Sequence, residues 1–285
     1  MAWELGNELG GWSDQTPPSE WVLDIASFIK SLAPNTLVMD GTLGGNNAPA
    51  RFAKQVLESD VVDMFSNHYY YNLEDPIDIR MIQSDTQFVA QKNAKVFIIG
   101  EIGFSYNIID TVFKTMRENN GISSTMLWSL RFHSQRGGFY THFEMDRVYS
   151  YHVPGFKQSP GFSADDYRMA NLLRDNALAL QGKSTASTPF PVPAPAQRAA
   201  GIIYSPYYLT WMGSSWAASF ILQRSSESPF GPFKMIARNI VDGIREGQFT
   251  YNDSTAIEGV AYYYQVLPVS VDGTVNQGSP LLISV

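Results

Sequence analysis

Phe97-Ile98-Ile99-Gly100-Glu101-Ile102-Gly103-Phe104 places one carboxylate at the end of an unbroken apolar run. Val96–Gly100 reads as a strand covered on both faces, as in parallel sheets. A charge at Glu101 is costly there unless a pocket or a partner receives it. A functional site and a structural ion pair both answer that need. Outward from this stretch, further short apolar strands are predicted at Ala2–Asn7, Leu37–Met39, Val61–Asn67 and Thr125–Ser129. Helical patterns separate them. The first covers Glu20–Leu32, with Trp21, Ile25, Phe28, Ile29 and Leu32 on one face. Pro17-Pro18-Ser19 is its start signal, with Ser19 as cap, and Pro34-Asn35 ends it. Others are expected near Ala50–Leu57, Ile77–Gln91 and Ile108–Glu118, and from Ser163 to about Leu180, closed by Gly182.

Alternating strands and helices imply a parallel sheet. Doubly wound sheets and barrels both satisfy the alternation. The polar residues favour a barrel: Asn7-Glu8, Asp40, His68-Tyr69-Tyr70, Glu101 and Trp128 each follow a strand. Functional groups of (β/α)₈ barrels gather at that end. The pattern changes after residue 183. Residues 184–198 are rich in Pro, Ala, Ser and Thr and read as a semi-stiff linker. Beyond them come short strands at Gly201–Tyr204, Tyr207–Trp211, Trp216–Arg224, Phe233–Ala237, Phe249–Tyr251, Ala261–Val269 and Leu281–Val285. Their density suggests a β-sandwich of the immunoglobulin or fibronectin III kind. The expected division is therefore 1–183 barrel-like, 184–198 linker and 199–285 sandwich.

Bulk properties narrow the partners. The net charge is −7 and no basic cluster is present, which argues against nucleic acid and anionic membranes. Cysteine is absent, excluding disulfides, thiol nucleophiles and Cys-based zinc sites. No apolar run approaches the roughly 18 residues of a membrane span, and no signal peptide precedes the first strand. Aromatic side chains, 13% of the chain, serve equally as core or as platforms for sugar rings.

Cleaving a glycosidic bond takes two carboxyl groups on opposite sides of the anomeric carbon. Leu5-Gly6-Asn7-Glu8-Leu9-Gly10 offers the second one, at a strand end between glycines, where an ordinary polar loop residue is the alternative. Taken in order, Asn7-Glu8, His68-Tyr69-Tyr70, Glu101 and Trp128 resemble the strand-end motifs of glycoside hydrolase family 5. The stretches Ala2–Leu9 and Leu127–Arg131 are similar to fungal endo-β-mannanase-like proteins. This resemblance covers residues 1–183 and implies a retaining β-glycosidase on cell-wall poly- or oligosaccharide, extracellular, without cofactor or metal. By the same resemblance Glu8 is the acid/base and Glu101 the nucleophile. Asn7 bonds the sugar 2-hydroxyl, Tyr70 orients Glu101, His68 lines the subsite, and Trp128 is a stacking floor. The loop Arg131–His142 supplies Arg131, His133 and His142 as candidate contacts, and Trp12 is another. Each is also readable as core or solvated loop.

The family has eight strand–helix units, and the motifs here number as strands four to eight. Five strands cannot close a barrel at the usual tilt, so Ala2–Asn7 and Thr125–Ser129 are expected at open edges. The expectations that follow are a truncated product and, as the alternative function, a non-catalytic carbohydrate-binding or vestigial protein.

Overall fold

The computed structural model describes residues 2–11, 16–43, 52–70, 79–92, 95–103, 106–118, 121–140, 143–144, 147–148, 166–243, 246–247, 250–278 and 280–285. The chain forms two compact units, Met1–Trp128 and Ser129–Val285.

In the first unit the order is β1 (Ala2–Glu4), α1 (Ser19–Leu32), β2 (Leu37–Asp40), α2 (Lys54–Leu57), β3 (Met64–Tyr70), α3 (Ile79–Ala90), β4 (Val96–Gly103), α4 (Tyr106–Glu118) and β5 (Ile122–Leu127). The strands make one parallel sheet in sequence order, with β1 and β5 at its edges. A sheet wound stepwise in one direction, with a helix after each of its first four strands, fits part of an α/β barrel. Its outer face is packed by the helices. Phe52 meets Phe65 edge-on at 5.5 Å and Phe97 at 6.3 Å. Ile99, Ile102, Ile82, Val89, Ile109 and Val112 are fully buried.

Three local expectations change. Ser19 is not the cap of α1. Pro18 holds that position, no side chain caps the helix, and the Pro18 carbonyl accepts from Val22 N (3.2 Å). Proline's fixed φ sets the entry angle one residue earlier. The stripe Trp21, Ile25, Phe28, Leu32 does not face the core either, since all four are exposed. Val22 and Ala26 are the side chains α1 buries, because small residues let the helix approach the sheet along a narrow line. The third change concerns strand ends. β1 stops at Glu4, while β3 and β4 continue through Tyr70 and Gly103. His68, Tyr69, Tyr70 and Glu101 thus lie within strands. Polar side chains do not interrupt a backbone ladder.

The second unit contains a short pair, β6 (Phe143–Glu144) and β7 (Arg147–Val148), and helix α5 (Asp166–Leu180). Gly182 (φ +69°) closes α5, with Lys183 N on Leu178 O (2.9 Å) and Gly182 N on Ala179 O (3.0 Å). These are the two bonds of a Schellman stop, which needs a left-handed residue there. The β part has a pair, β8 (Gln197–Arg198) with β9 (Trp211–Met212). Beside it is an antiparallel sheet in the order β11 (Lys234–Ile240), β10 (Ser219–Ser225), β12 (Tyr263–Val269), β13 (Leu281–Ser284). Gly201–Tyr204 forms no strand; of Tyr207–Trp211 only Trp211 enters a strand, β9, with isolated bridges at Tyr208 (to Ser205) and Leu209 (to Tyr251), and Phe249 lies outside the described residues. The Pro/Ala-rich stretch is pinned near its end: Ala194 N donates to Ser215 O (3.0 Å), Pro193 O accepts from Asn276 Nδ2 (2.8 Å), and Ala196 is buried. Trp211, Phe220, Leu222, Tyr264, Val266 and Ile283 form the core. Buried Asp253 accepts from Arg224 (2.6 Å), Tyr264 (2.9 Å) and the Thr255 hydroxyl (2.6 Å). Burial alone would raise its pKa, and those hydrogen bonds hold it below the usual carboxylate value.

Candidate active site

The candidate site lies on the face of the parallel sheet opposite the helices. Side chains of a strand alternate between faces. In β3 the outward set is Phe65, Asn67 and Tyr69, and the inward set is Ser66, His68 and Tyr70. By strict alternation Glu101 would point outward with Ile99. A bulge prevents this. Asn67 pairs with Ile99, but His68 pairs with Glu101, leaving Gly100 as the extra residue. Bulges of this kind re-aim the following side chain. A Cβ on Gly100 would stand 2.9 Å from His68 Nε2, so glycine admits the imidazole against the backbone.

Glu8 arrives differently. After β1 the chain turns, and Glu8 takes φ +52°. A non-glycine residue in this region is strained by on the order of 1–3 kcal/mol, a cost found at functional sites. Backbone bonds hold the turn in place: Leu9 N to Gly41 O (2.9 Å) and Leu43 N to Leu9 O (3.0 Å).

These devices bring three groups together. Glu8, His68 and Glu101 each present an atom within 4.8 Å of the others. His68 Nδ1 hydrogen-bonds Glu8 Oε1 (2.8 Å) and lies 3.3 Å from Glu101 Oε2. The Tyr70 hydroxyl donates to Glu101 Oε2. Tyr69 turns to the other face and donates to Asp85. His68 is nearly buried, while Glu8 keeps 26% of its side-chain exposure, enough for a ligand to reach it. Two carboxylates with one imidazole are also a donor set of the kind that holds a divalent cation.

Of the other candidates, Asn7 is exposed in the turn before Glu8. Half-buried Trp128 follows β5, its N–H bonded to Ile102 O (2.9 Å). An open cleft of about 420 Å³ borders the Glu8 turn, lined by Leu9, Gly10, Thr16, Pro17, Pro18 and Trp21. Trp12 and His142 lie outside the described residues. Arg131 and His133 belong to the second unit. Arg131 is buried there, and His133 Nε2 bonds Asp242 Oδ2 (3.0 Å) while stacking on Phe139.

Glu4 received no role from the sequence. Loss of solvent raises its pKa, His68 opposes the rise, and Glu101 and Asp40 add to it. Glu4, on an exposed strand, is thus near enough to His68 and Glu101 to feel their charges. The available signal was a lone charge between Trp3 and Leu5, on the strand face opposite to both.

Asp40, the last residue of β2, is buried, with Oδ1 accepting from Thr42 N (3.1 Å) and Thr42 Oγ1 (2.6 Å). Burial raises its pKa and the Thr42 bonds offset part of the rise. A raised carboxylate pKa means that the fold prefers the protonated form. That stability is full below the unfolded value of 3.8 and is lost as pH rises through the folded one. Asp40→Asn keeps the acceptor and removes the charge. Its Tm should match wild type near pH 3 and exceed it at pH 7. A scanning-calorimetry series giving no pH-dependent difference would refute this.

No protein-family model matches the chain, and no curated protein sequence does. Among solved structures it is similar to a glycoside hydrolase family 5 mannosidase from Rhizomucor miehei, at 16% identity and TM-score 0.42, over 64% of this chain and 52% of that one. An endo-β-1,4-mannanase from Thermotoga petrophila is similar at 18% identity and TM-score 0.42, over 100% of this chain and 64% of that one. An Fn3-like protein from Clostridium thermocellum matches at 28% identity and TM-score 0.25, over 32% of this chain and 92% of its own. The chain thus spans 52% and 64% of the first two. Among the described residues no helix is long and apolar enough to cross a membrane.

Proposed function

We propose that the chain is a retaining β-glycosidase, endo-β-1,4-mannanase-like, acting on plant or fungal cell-wall polysaccharide outside the cell. One observation carries the reading: Glu8 and Glu101 approach within 4.8 Å across His68, with Tyr70 bonded to Glu101. Carboxyl groups whose nearest oxygens are this close are nearer to the about 5–5.5 Å of enzymes whose carboxylate attacks carbon directly than to any wider arrangement. Inversion needs about 6.5–9.5 Å, room for a water.

In this reading Glu8 gives its proton to the glycosidic oxygen as Glu101 attacks the anomeric carbon. The leaving sugar departs as an alcohol, and an ester joins the glycone to Glu101. Glu8, now a carboxylate, takes a proton from water, whose oxygen displaces Glu101. The released sugar keeps its configuration and Glu8 regains its proton. Tyr70 orients the nucleophile, Asn7 bonds the 2-hydroxyl, His68 lines the subsite, and Trp128 is the stacking floor. Trp12 is a further proposed substrate contact. With this reading go a sheet equivalent to barrel strands four to eight, the division 1–183, 184–198 and 199–285, and a fibronectin III-like tail.

The test is hydrolysis of soluble β-mannan and β-glucan by the intact chain, with anomeric configuration followed by ¹H NMR. Glu8→Gln and Glu101→Gln should each lower the rate on the order of 10³-fold or more. No turnover by wild type, or turnover that survives both substitutions, overturns the proposal. Sugar binding without turnover would instead favour a carbohydrate-binding protein.

A further inference from the structure

We infer that Asp85, on the helix side of the sheet, is a positioning residue that sets the orientation of His68 on the site side. Asp85 is fully buried on α3. One of its oxygens, Oδ2, accepts from both Asn67 Nδ2 (3.0 Å) and the Tyr69 hydroxyl (2.5 Å). Asn67 and Tyr69 are themselves buried, and they flank His68 in β3. Two anchors on one atom, two residues apart, fix the pleat of the residue between them. Alternation then sends His68 to the opposite face.

The clamp acts beside an irregularity of register. The β3–β4 ladder slips between Asn67 and His68, opposite the extra residue Gly100. A bulge leaves a residue unpaired and disrupts the ladder locally. His68, the first paired residue after that irregularity, is thus held from behind by the anchors Asp85 places on either side of it. An apolar residue would fill the same space without holding either neighbour. It would also strand the Asn67 amide and the Tyr69 hydroxyl in the core, the costly arrangement for buried polar groups. The consequence reaches both proposed catalytic carboxylates, because His68 Nδ1 contacts Glu8 and Glu101.

The reaction that this clamp serves rests on the glycosidase reading, but its test does not. The side-chain ¹H–¹⁵N signals of the chain's four histidines are recorded on the full chain, with the His68 signal identified by its loss in His68→Gln. Asp85→Ala is expected to shift the His68 signal and leave that of His133, in the other unit, in place. Asp85→Asn keeps an acceptor and is expected to restore it. Val89→Ala opens a cavity on the same helix but can break no hydrogen bond to β3, and should leave His68 unmoved. Tyr69→Phe removes one bond and should shift His68 less, in the same direction. It serves as the decisive variant if Asp85→Ala does not fold. An unshifted His68 in folded Asp85→Ala or Tyr69→Phe, or an equal shift in Val89→Ala, overturns the inference. Absence of sugar hydrolysis with these shifts intact would sink the glycosidase reading alone.

Discussion

Gly41→Ala should abolish the native first unit. A Cβ at position 41 would stand 1.8 Å from the carbonyl oxygen of Gly6 and 2.9 Å from Glu4 Cγ. The first contact is with backbone, so no rotamer change relieves it. The strand end and the turn after it would have to separate, taking with them the Leu9–Gly41 and Leu43–Leu9 hydrogen bonds. Overpacking a well-packed core costs about 1–3 kcal/mol, and more where backbone must move. A penalty above about 3 kcal/mol is expected, a large share of a typical domain's total stability. The turn also carries Glu8, so any folded remainder should lose the Glu8–His68 hydrogen bond. Urea denaturation followed by far-UV circular dichroism measures the effect. A midpoint for the first transition within error of wild type would show that the close approach at Gly41 is not required.

Trp211→Ala should be the most damaging single truncation in the second unit. Trp211 is fully buried and meets Phe220 edge-on at 5.3 Å. Around it lie Leu209, Leu222, Tyr264, Val266 and Ile283. Removing an indole from such a core costs about 3–5 kcal/mol, the lost transfer energy plus the cavity left behind. Trp211→Phe should cost less than its lost volume suggests. Among the described residues the buried indole Nε1 has no hydrogen-bond partner, and phenylalanine removes that donor. Thermal unfolding of the three proteins gives the order wild type, Phe, Ala. A Phe variant as unstable as the Ala variant would mean that the indole nitrogen carries no penalty.

Much of the local structure is readable along the chain. Apolar runs such as Val96–Ile99 and Phe65 with its neighbours announce strands, and the Asp166–Leu180 helix stops at Gly182 because only a left-handed residue completes its end. Strand ends are less legible. His68 and Glu101 look like loop residues by polarity, yet their backbones continue the ladder. The buried side of α1 is also misread, since the large apolar residues Phe28 and Leu32 outweigh Val22 and Ala26 on any hydrophobicity count. The candidate carboxylates Glu8 and Glu101 could be suspected from their places after apolar runs, and Tyr70 only through the resemblance to family 5. Glu4 and Asp85 gave no such sign, because neither a strand charge nor a mid-helix aspartate is unusual until its neighbours are known.

Residue order alone dictated the alternation of strands and helices, the change to short antiparallel strands, and the absence of thiol chemistry, since these depend on neighbours within a few positions and on composition. Folding in three dimensions settled which way Glu101 points, that Glu8 and His68 share a hydrogen bond across 60 positions of chain, and that Asp85 reaches through to β3. A bulge, a left-handed turn and a buried carboxyl bond each depend on atoms that meet only after the sheet has assembled, and such long-range contacts leave no periodic trace in the chain.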